Sequence, residues 1–312
     1  MRPFRFLADV RSPTDNAGFI DRIAHAESAG YHGVAVPDHL MDQLSPVATM
    51  AAVAMVSSTL RISAFVLNND LRHPAVLAQD LATIDVLSSG RLDVAIGAGW
   101  NQVEYDAIGL PFSPAPVRQA RLTEAIAVLK GCFRGEEFAF AGDHYSISGY
   151  TAGPASHQRP HPPFFIGGGG KRTLTLAAAE ADTVGLAPRI RGGKLEASSL
   201  TWDATVEKIG WVRAAAGDRF DHLEFNAYPS ASSPLITDSL HRELAATADR
   251  IAAQTGVRLT ERELEDSPHV FVGSVDRLVE KFERLRAELG ISSFLVGEPG
   301  PLDAVVQRLS GH

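Results

Sequence analysis

One cysteine, Cys132, is all that the 312 residues contain, so neither a disulfide framework nor a thiolate metal cage can be built from this chain. Its spacing from Leu122, Ile126 and Leu129 places it on the packing face of a helix, with nothing nearby to lower a thiol pKa. Cationic clusters are missing too. Lys and Arg number 29 against 37 acidic residues, the net charge is −8 and no basic run occurs, which excludes the footprint of a nucleic-acid surface. Long apolar runs are absent: the longest uncharged stretch, residues 44–60, carries Pro46 and falls short of the ~20 apolar residues of a membrane span. It reads as a buried helix. The opening "MRPFRFLADV" brings charge and proline too early for a secretory h-region, so a soluble, cytoplasmic protein is expected.

What is present is alternation. Eight short apolar runs are strand candidates: "PFRFLA", "GVAV", "RISAFVL", "RLDVAIG", "PFFIG", "DTVGL", "HLEFNAY" and "SSFLVG". Helical spacing follows most of them, clearest in Leu278, Phe282, Leu285 and Leu289. Glycine stops the helix before strands two, four and eight, at Gly30, Gly90 and Gly290. This pattern predicts a (β/α)8 TIM barrel of ~250 residues, leaving about 60 for insertions into a single domain spanning 1–312. The insertions are placed near 136–162, as a hairpin around "GDH" and a Pro-rich loop, and near 229–272, with an extra helix. A doubly wound nucleotide-binding sheet would want a glycine-rich turn after the first strand; "LADVRSPTDN" has none.

In a barrel the working face lies at the carboxyl ends of the strands. After strand two come Asp38 and His39, which serve either as a turn and cap or as a proton-handling pair. Strand three ends in Asn68, Asn69 and Asp70, either a polar rim for a heterocycle or ordinary turn formers. Strand four ends "GAGWNQVEY": Gly97 and Gly99 admit close backbone approach to a flat ligand, and Trp100 could stack on it. The dinucleotide fingerprint fails there, since Gln102 occupies the third glycine position and no helix is expected to open at once. Strand five ends in Gly167, Gly168, Gly169 and Gly170, feeding a helix whose first turn holds Lys171 and Arg172, which suits a phosphate. His157 and His161 stand four apart, but Pro160 and Pro162 forbid a helix that would align them, and no metal site is assigned. Arg189, Arg191 and Lys194 form either a solvated loop or a lid.

The segments "AESAGYHGVAVPDHL", "HPAVLAQDLATIDVLSSGRLDVAIGAGWNQVEY", "PFFIGGGG" and "FVGSVDRLVEKFERLRAELGISSFLV" resemble the luciferase-like monooxygenase superfamily, in its branch of coenzyme F420-dependent oxidoreductases. The resemblance implies a barrel with the deazaflavin ring at its mouth, hydride transfer to or from a small-molecule substrate, and a homodimer. It places Asp38 against the ring system and His39 as the active-site histidine. It sets Phe65 and Val66 at a strand-three bulge behind the ring, often held by a non-prolyl cis peptide. Gly97, Ala98 and Gly99 fall along the ring edge, and Gly168 with Gly169 at the phosphate. The proton would move through His39, with Asp38 fixing the ring or orienting His39. The sugar-phosphate dehydrogenases of this branch carry a catalytic Glu where this chain has Trp100. That departure argues for an apolar or aromatic substrate face. Glu104, one helical turn along, is a candidate replacement, although a Glu in a loop is more often solvated. FMN with oxygen is the alternative cofactor chemistry on the same fold, and a non-catalytic cofactor-binding barrel is the other rival.

Overall fold

The computed structural model describes residues 1–312. Eight parallel strands form its centre: β1 (Arg5–Asp9), β2 (Gly33–Val36), β3 (Arg61–Ala64), β4 (Leu92–Gly97), β5 (Phe164–Gly168), β6 (Thr183–Leu186), β7 (Glu224–Ala227) and β8 (Ile291–Leu295). Each pairs with its neighbour in sequence, and β8 pairs back onto β1 with Phe294 opposite Phe6, so the sheet closes into a barrel. Such strands face packed side chains inside and helices outside. Both faces must therefore be apolar, which is why "GVAV" and "EFNA" are buried at every residue and show no alternation.

The helices are α1 (Asn16–Ser28), α2 (Pro46–Val56), α3 (Pro74–Leu87), α4 (Gln102–Ala107), α5 (Ala115–Phe133) and α6 (Lys171–Glu180). They continue with α7 (Trp202–Ala216), α8 (Leu240–Thr255), α9 (Glu261–Asp266), α10 (Val275–Leu289) and α11 (Asp303–Leu309). The sequence logic is plainest in α10. The Ser274 hydroxyl accepts from the Arg277 N–H at the start, and Gly290 takes φ +69° at the end, where a side chain would be strained. Its apolar stripe buries Phe282 against Phe6, Phe271 and Phe294 at ring separations of 5.4, 5.0 and 4.6 Å. Cys132 is buried on α5, where burial pushes its thiol up to about 11.

Two departures from the sequence reading bear on the mouth of the barrel. Strand three is not one run. Its ladder stops at Ala64, a cis peptide joins Phe65 to Val66, and pairing resumes at Leu67–Asn68 opposite Ile96 and Gly97. All these residues are apolar or small, so hydropathy gives no sign of the break. A short helix, α4, does open directly after "GAGWN", contrary to expectation; Asn101 stands at its cap and Gln102 is its first residue. Between α5 and β5 the chain forms a hairpin, Glu137–Ala141 against Ser146–Thr151. Between β7 and α10 it forms α8 and α9, whose apolar faces make a second, smaller core with Ala197 and Leu200. No helix is long and apolar enough to cross a membrane.

Candidate active site

The carboxyl ends of the strands open onto a cavity of about 560 Å³. Asp38, His39, Phe65, Val66, Asn68, Gly97, Ala98, Gly99, Trp100 and Gly167 to Gly170 all line it. Residues from four separate strand ends therefore share one space, as a barrel mouth requires. The imidazole and the glycine run lie on the same end of the fold.

His39 is held by a group from another loop. Its Nδ1 lies 2.8 Å from Oε1 of Glu104, a residue of α4 that is 8% exposed, and Asn101 Nδ2 donates to the same oxygen at 2.7 Å. Glu104 is thus buried against the imidazole rather than solvated, because α4 turns it inward as the loop alone would not. A carboxylate at Nδ1 favours the tautomer with its proton there, which leaves Nε2 as the ring nitrogen free of protein partners. Trp100, half-exposed at the mouth, meets the His39 ring edge-on with centroids 5.7 Å apart.

Asp38 does something other than orient His39. Its carboxylate accepts from Arg72 Nη1 at 2.5 Å and Nη2 at 3.2 Å, and from the backbone N–H of Asn68 at 2.9 Å. It is buried, charge-balanced and tied to the chain just beyond the Phe65–Val66 peptide. Asn68 lines the cavity, but its Oδ1 accepts from the Tyr105 hydroxyl at 2.9 Å and the Asp70 N–H at 3.1 Å. Burial pushes the Tyr105 phenol up to about 12, so it stays a donor. Asn69 and Asp70 do not reach the cavity; Asn69 Nδ2 donates to Tyr145, and Asp70 pairs with Arg121 at 2.7 Å. The polar rim of the sequence reading shrinks to Asn68.

At the far side, β5 runs through Gly167–Gly170 into α6. A Cβ on Gly169 would come within 2.3 Å of the Pro188 carbonyl oxygen, so this backbone packs where only glycine fits. Gly170 caps α6 without a side chain, leaving the N–H groups of the first turn unfilled. Lys171 and Arg172 are exposed and do not line the cavity, because successive side chains leave a helix about 100° apart and only Thr173 turns inward. The cation at this end is Arg118, which the sequence reading missed. It is 8% exposed in the first turns of α5, stacks on Phe112 at 3.9 Å, and has no carboxylate partner. Its Nε makes no hydrogen bond, and burial draws the guanidinium below its ordinary pKa. The next residue, Gln119, bonds Thr173 Oγ1 at 2.9 Å, joining α5 to the glycine run. A cation just inside a helix after a barrel strand was the available signal. Arg189 pairs with Glu196 at 3.2 Å within a loop whose tip is the small hairpin Ile190–Arg191 and Lys194–Leu195. His161 faces the Pro162 carbonyl and the Phe164 ring.

Known proteins resemble this chain in sequence and fold. An FMNH2-dependent dimethylsulfone monooxygenase of Pseudomonas putida is 39% identical over 109 residues, 35% of this chain and 30% of that protein. The chain thus spans about a third of the length of that relative. An F420-dependent glucose-6-phosphate dehydrogenase of Microbacterium testaceum is 26% identical over 306 residues, covering 92% of this chain and 89% of that protein. Among solved structures, an F420-dependent secondary alcohol dehydrogenase superposes with TM-score 0.76 at 18% identity, over 99% of this chain and 98% of that one. An EDTA monooxygenase from Chelativorans sp. BNC1 gives TM-score 0.77 at 14% identity, covering 99% and 93%. The luciferase-like monooxygenase model matches residues 1–211, and the chain belongs to that family.

Proposed function

We propose that this chain is an oxidoreductase that uses coenzyme F420 to transfer a hydride to or from a small organic substrate. The observation that carries the reading is one cavity lined by an imidazole, by an uncapped helix start and by a buried guanidinium that forms no salt bridge. The residues fit a phosphorylated tricyclic cofactor. Free N–H groups at α6 and the Arg118 guanidinium form an anion site. Gly97 and Gly99 line the cavity as bare backbone, with Val66, Asn68 and Tyr105 packed where a Cβ on either would stand, a close-packed wall against which a flat ring can lie. The bound deazaflavin would supply the carbon that gives or takes the hydride.

The protein's share is positioning and proton handling. His39 moves the accompanying proton through Nε2, and Glu104 holds the ring so that this nitrogen faces the cavity. Asp38, saturated by Arg72 and the Asn68 N–H, steadies the wall behind the ring. Support for F420 comes from the relative matched along 92% of the chain. The higher identity over a shorter segment favours the second reading, a reduced-FMN monooxygenase on the same scaffold. Mixing the protein with each reduced cofactor and a panel of enones, imines and nitroaromatics separates them. Deazaflavin oxidation that depends on the organic acceptor, without oxygen uptake, is the expected result; oxygen uptake with reduced FMN would transfer the assignment.

A further inference from the structure

Besides the Tyr228 phenol, six charged or imidazole side chains line the cavity: Asp9, Arg11, Asp38, His39, Glu104 and Arg118. Away from the glycine run, none is left without a partner. Arg11 Nε donates to Asp9 Oδ2 at 2.6 Å, its Nη2 contacts the same oxygen, and its backbone N–H donates to Oδ1 at 3.0 Å. Asp38 is saturated by Arg72 and the Asn68 N–H, and Glu104 is held through Oε1 by His39 and Asn101. Arg118, which lines the cavity with the glycine run, is the one lining cation that forms no salt bridge.

We propose that the His39 end of the cavity selects an uncharged, largely apolar ligand with one hydrogen-bonding polar group, and that the Asp9–Arg11 pair enforces this choice. The inference rests on the reading that Arg118 and α6 take the cofactor phosphate, which leaves the His39 end for substrate. An anionic ligand there needs an unpaired cation, and Arg11, the remaining cation on the lining, is neutralised by an Asp9 that is 3% exposed. A cationic ligand needs an unpaired acid; Asp9 and Asp38 are each neutralised by an arginine, and the Glu104 carboxylate is already committed through Oε1 to His39 and Asn101. Displacing either ion from its partner would strand the other in a part-buried site, a strongly unfavourable exchange. Apolar residues of the lining that belong to the strand-end loops, Pro37, Trp100, Pro229 and Leu295, offer contact area without charge. His39 Nε2 is then the group that meets the ligand's single polar atom. The relatives that act on a phosphorylated sugar would need a free cation here; this chain withholds it.

The test uses two isosteric probes, benzaldehyde and benzoate, with inorganic phosphate saturating the Arg118 end. Binding is read by ligand-observed saturation-transfer NMR and by the part of the tryptophan quenching in the full chain that Trp100→Phe removes. The wild type should bind benzaldehyde and bind benzoate at least about tenfold more weakly. Asp9→Asn keeps an acceptor for the Arg11 N–H but frees its charge, and should tighten benzoate about tenfold, the worth of one charge-assisted hydrogen bond. The double variant Asp9→Asn/Arg11→Gln should lose that gain, and its melting curve reports whether the loop remains folded. Benzoate bound as tightly as benzaldehyde by the wild type, no benzaldehyde binding, or a benzoate affinity indifferent to Asp9→Asn would overturn the proposal. If the cofactor reading alone fails, F420 does not bind while the preference for benzaldehyde persists, so the two failures are told apart.

Discussion

Glu104→Gln is the substitution that most sharply separates positioning from mere packing. The side chain keeps its size and its contact with Asn101, but the carboxylate that now faces His39 Nδ1 at 2.8 Å becomes an amide. An ionised acceptor makes a hydrogen bond of about 1.5–3 kcal/mol, against about 0.5–1.5 for a neutral one. The change therefore costs about 1–1.5 kcal/mol of tautomer preference, roughly tenfold in population, because 1.4 kcal/mol is a factor of ten. The glutamine NH2 can also donate to an unprotonated Nδ1, which stabilises the opposite tautomer and turns a protonated Nε2 toward the cavity. If His39 moves the proton, kcat should fall about 10- to 100-fold while KM and the melting temperature stay close to wild type. Long-range 1H–15N correlation on the ring nitrogens reads the tautomer directly, with no cofactor present. An unchanged tautomer together with unchanged kcat would refute the assignment of Glu104 to His39.

Other perturbations test other links. Asp38→Asn removes the charge that balances Arg72 and weakens the hold on the Asn68 N–H, so stability should drop by about 2 kcal/mol, read from the denaturant midpoint. Phe282→Ala empties the centre of the four-phenylalanine cluster and should cost about 3–5 kcal/mol by the same measurement. His269 is buried beneath Tyr228, and burial lowers its pKa from 6.5 to about 3. The unfolded chain binds a proton there that the folded chain refuses, so this contribution is complete above pH 6.5 and declines as pH falls toward 3. Its loss should reach a few kcal/mol, and His269→Gln should flatten that limb of the stability profile; an unchanged slope would contradict the burial argument.

The barrel was legible because its signals are local. Gly33–Val36 reads as a doubly buried strand from four residues, and the glycine stops at Gly30, Gly90 and Gly290 all take positive φ. The cavity lining was legible for a related reason: a strand's last residues must reach the barrel mouth. The pairings inside the site were not. Glu104 and His39 are 65 residues apart, and the lateral pairing of β2 and β4 on either side of β3 brings their loops together. Arg72 meets Asp38 and Arg118 reaches the cavity for the same long-range reason. Lys171 and Arg172 misled in the opposite sense, since adjacency in sequence stood in for convergence in space, and helical geometry turns both outward. The break after Ala64 left no trace in hydropathy, because apolar residues lie on both sides of it, and only the family resemblance pointed to Phe65 and Val66.

The central claim is that the start of α6 holds the phosphate of a ring cofactor, and Gly170→Asp tests it most directly. Gly170 is the cap of that helix, and a Cβ there meets nothing within 4 Å, so the substitution is sterically free. An aspartate cap would satisfy the first-turn N–H groups itself, adding a few tenths of a kcal/mol to stability while occupying the anion site. Titration of wild type and variant with coenzyme F420, followed by absorbance, should show a variant that melts no lower yet binds at least about tenfold more weakly, a change of about 1.4 kcal/mol. Equal affinity in the two proteins would contradict the account.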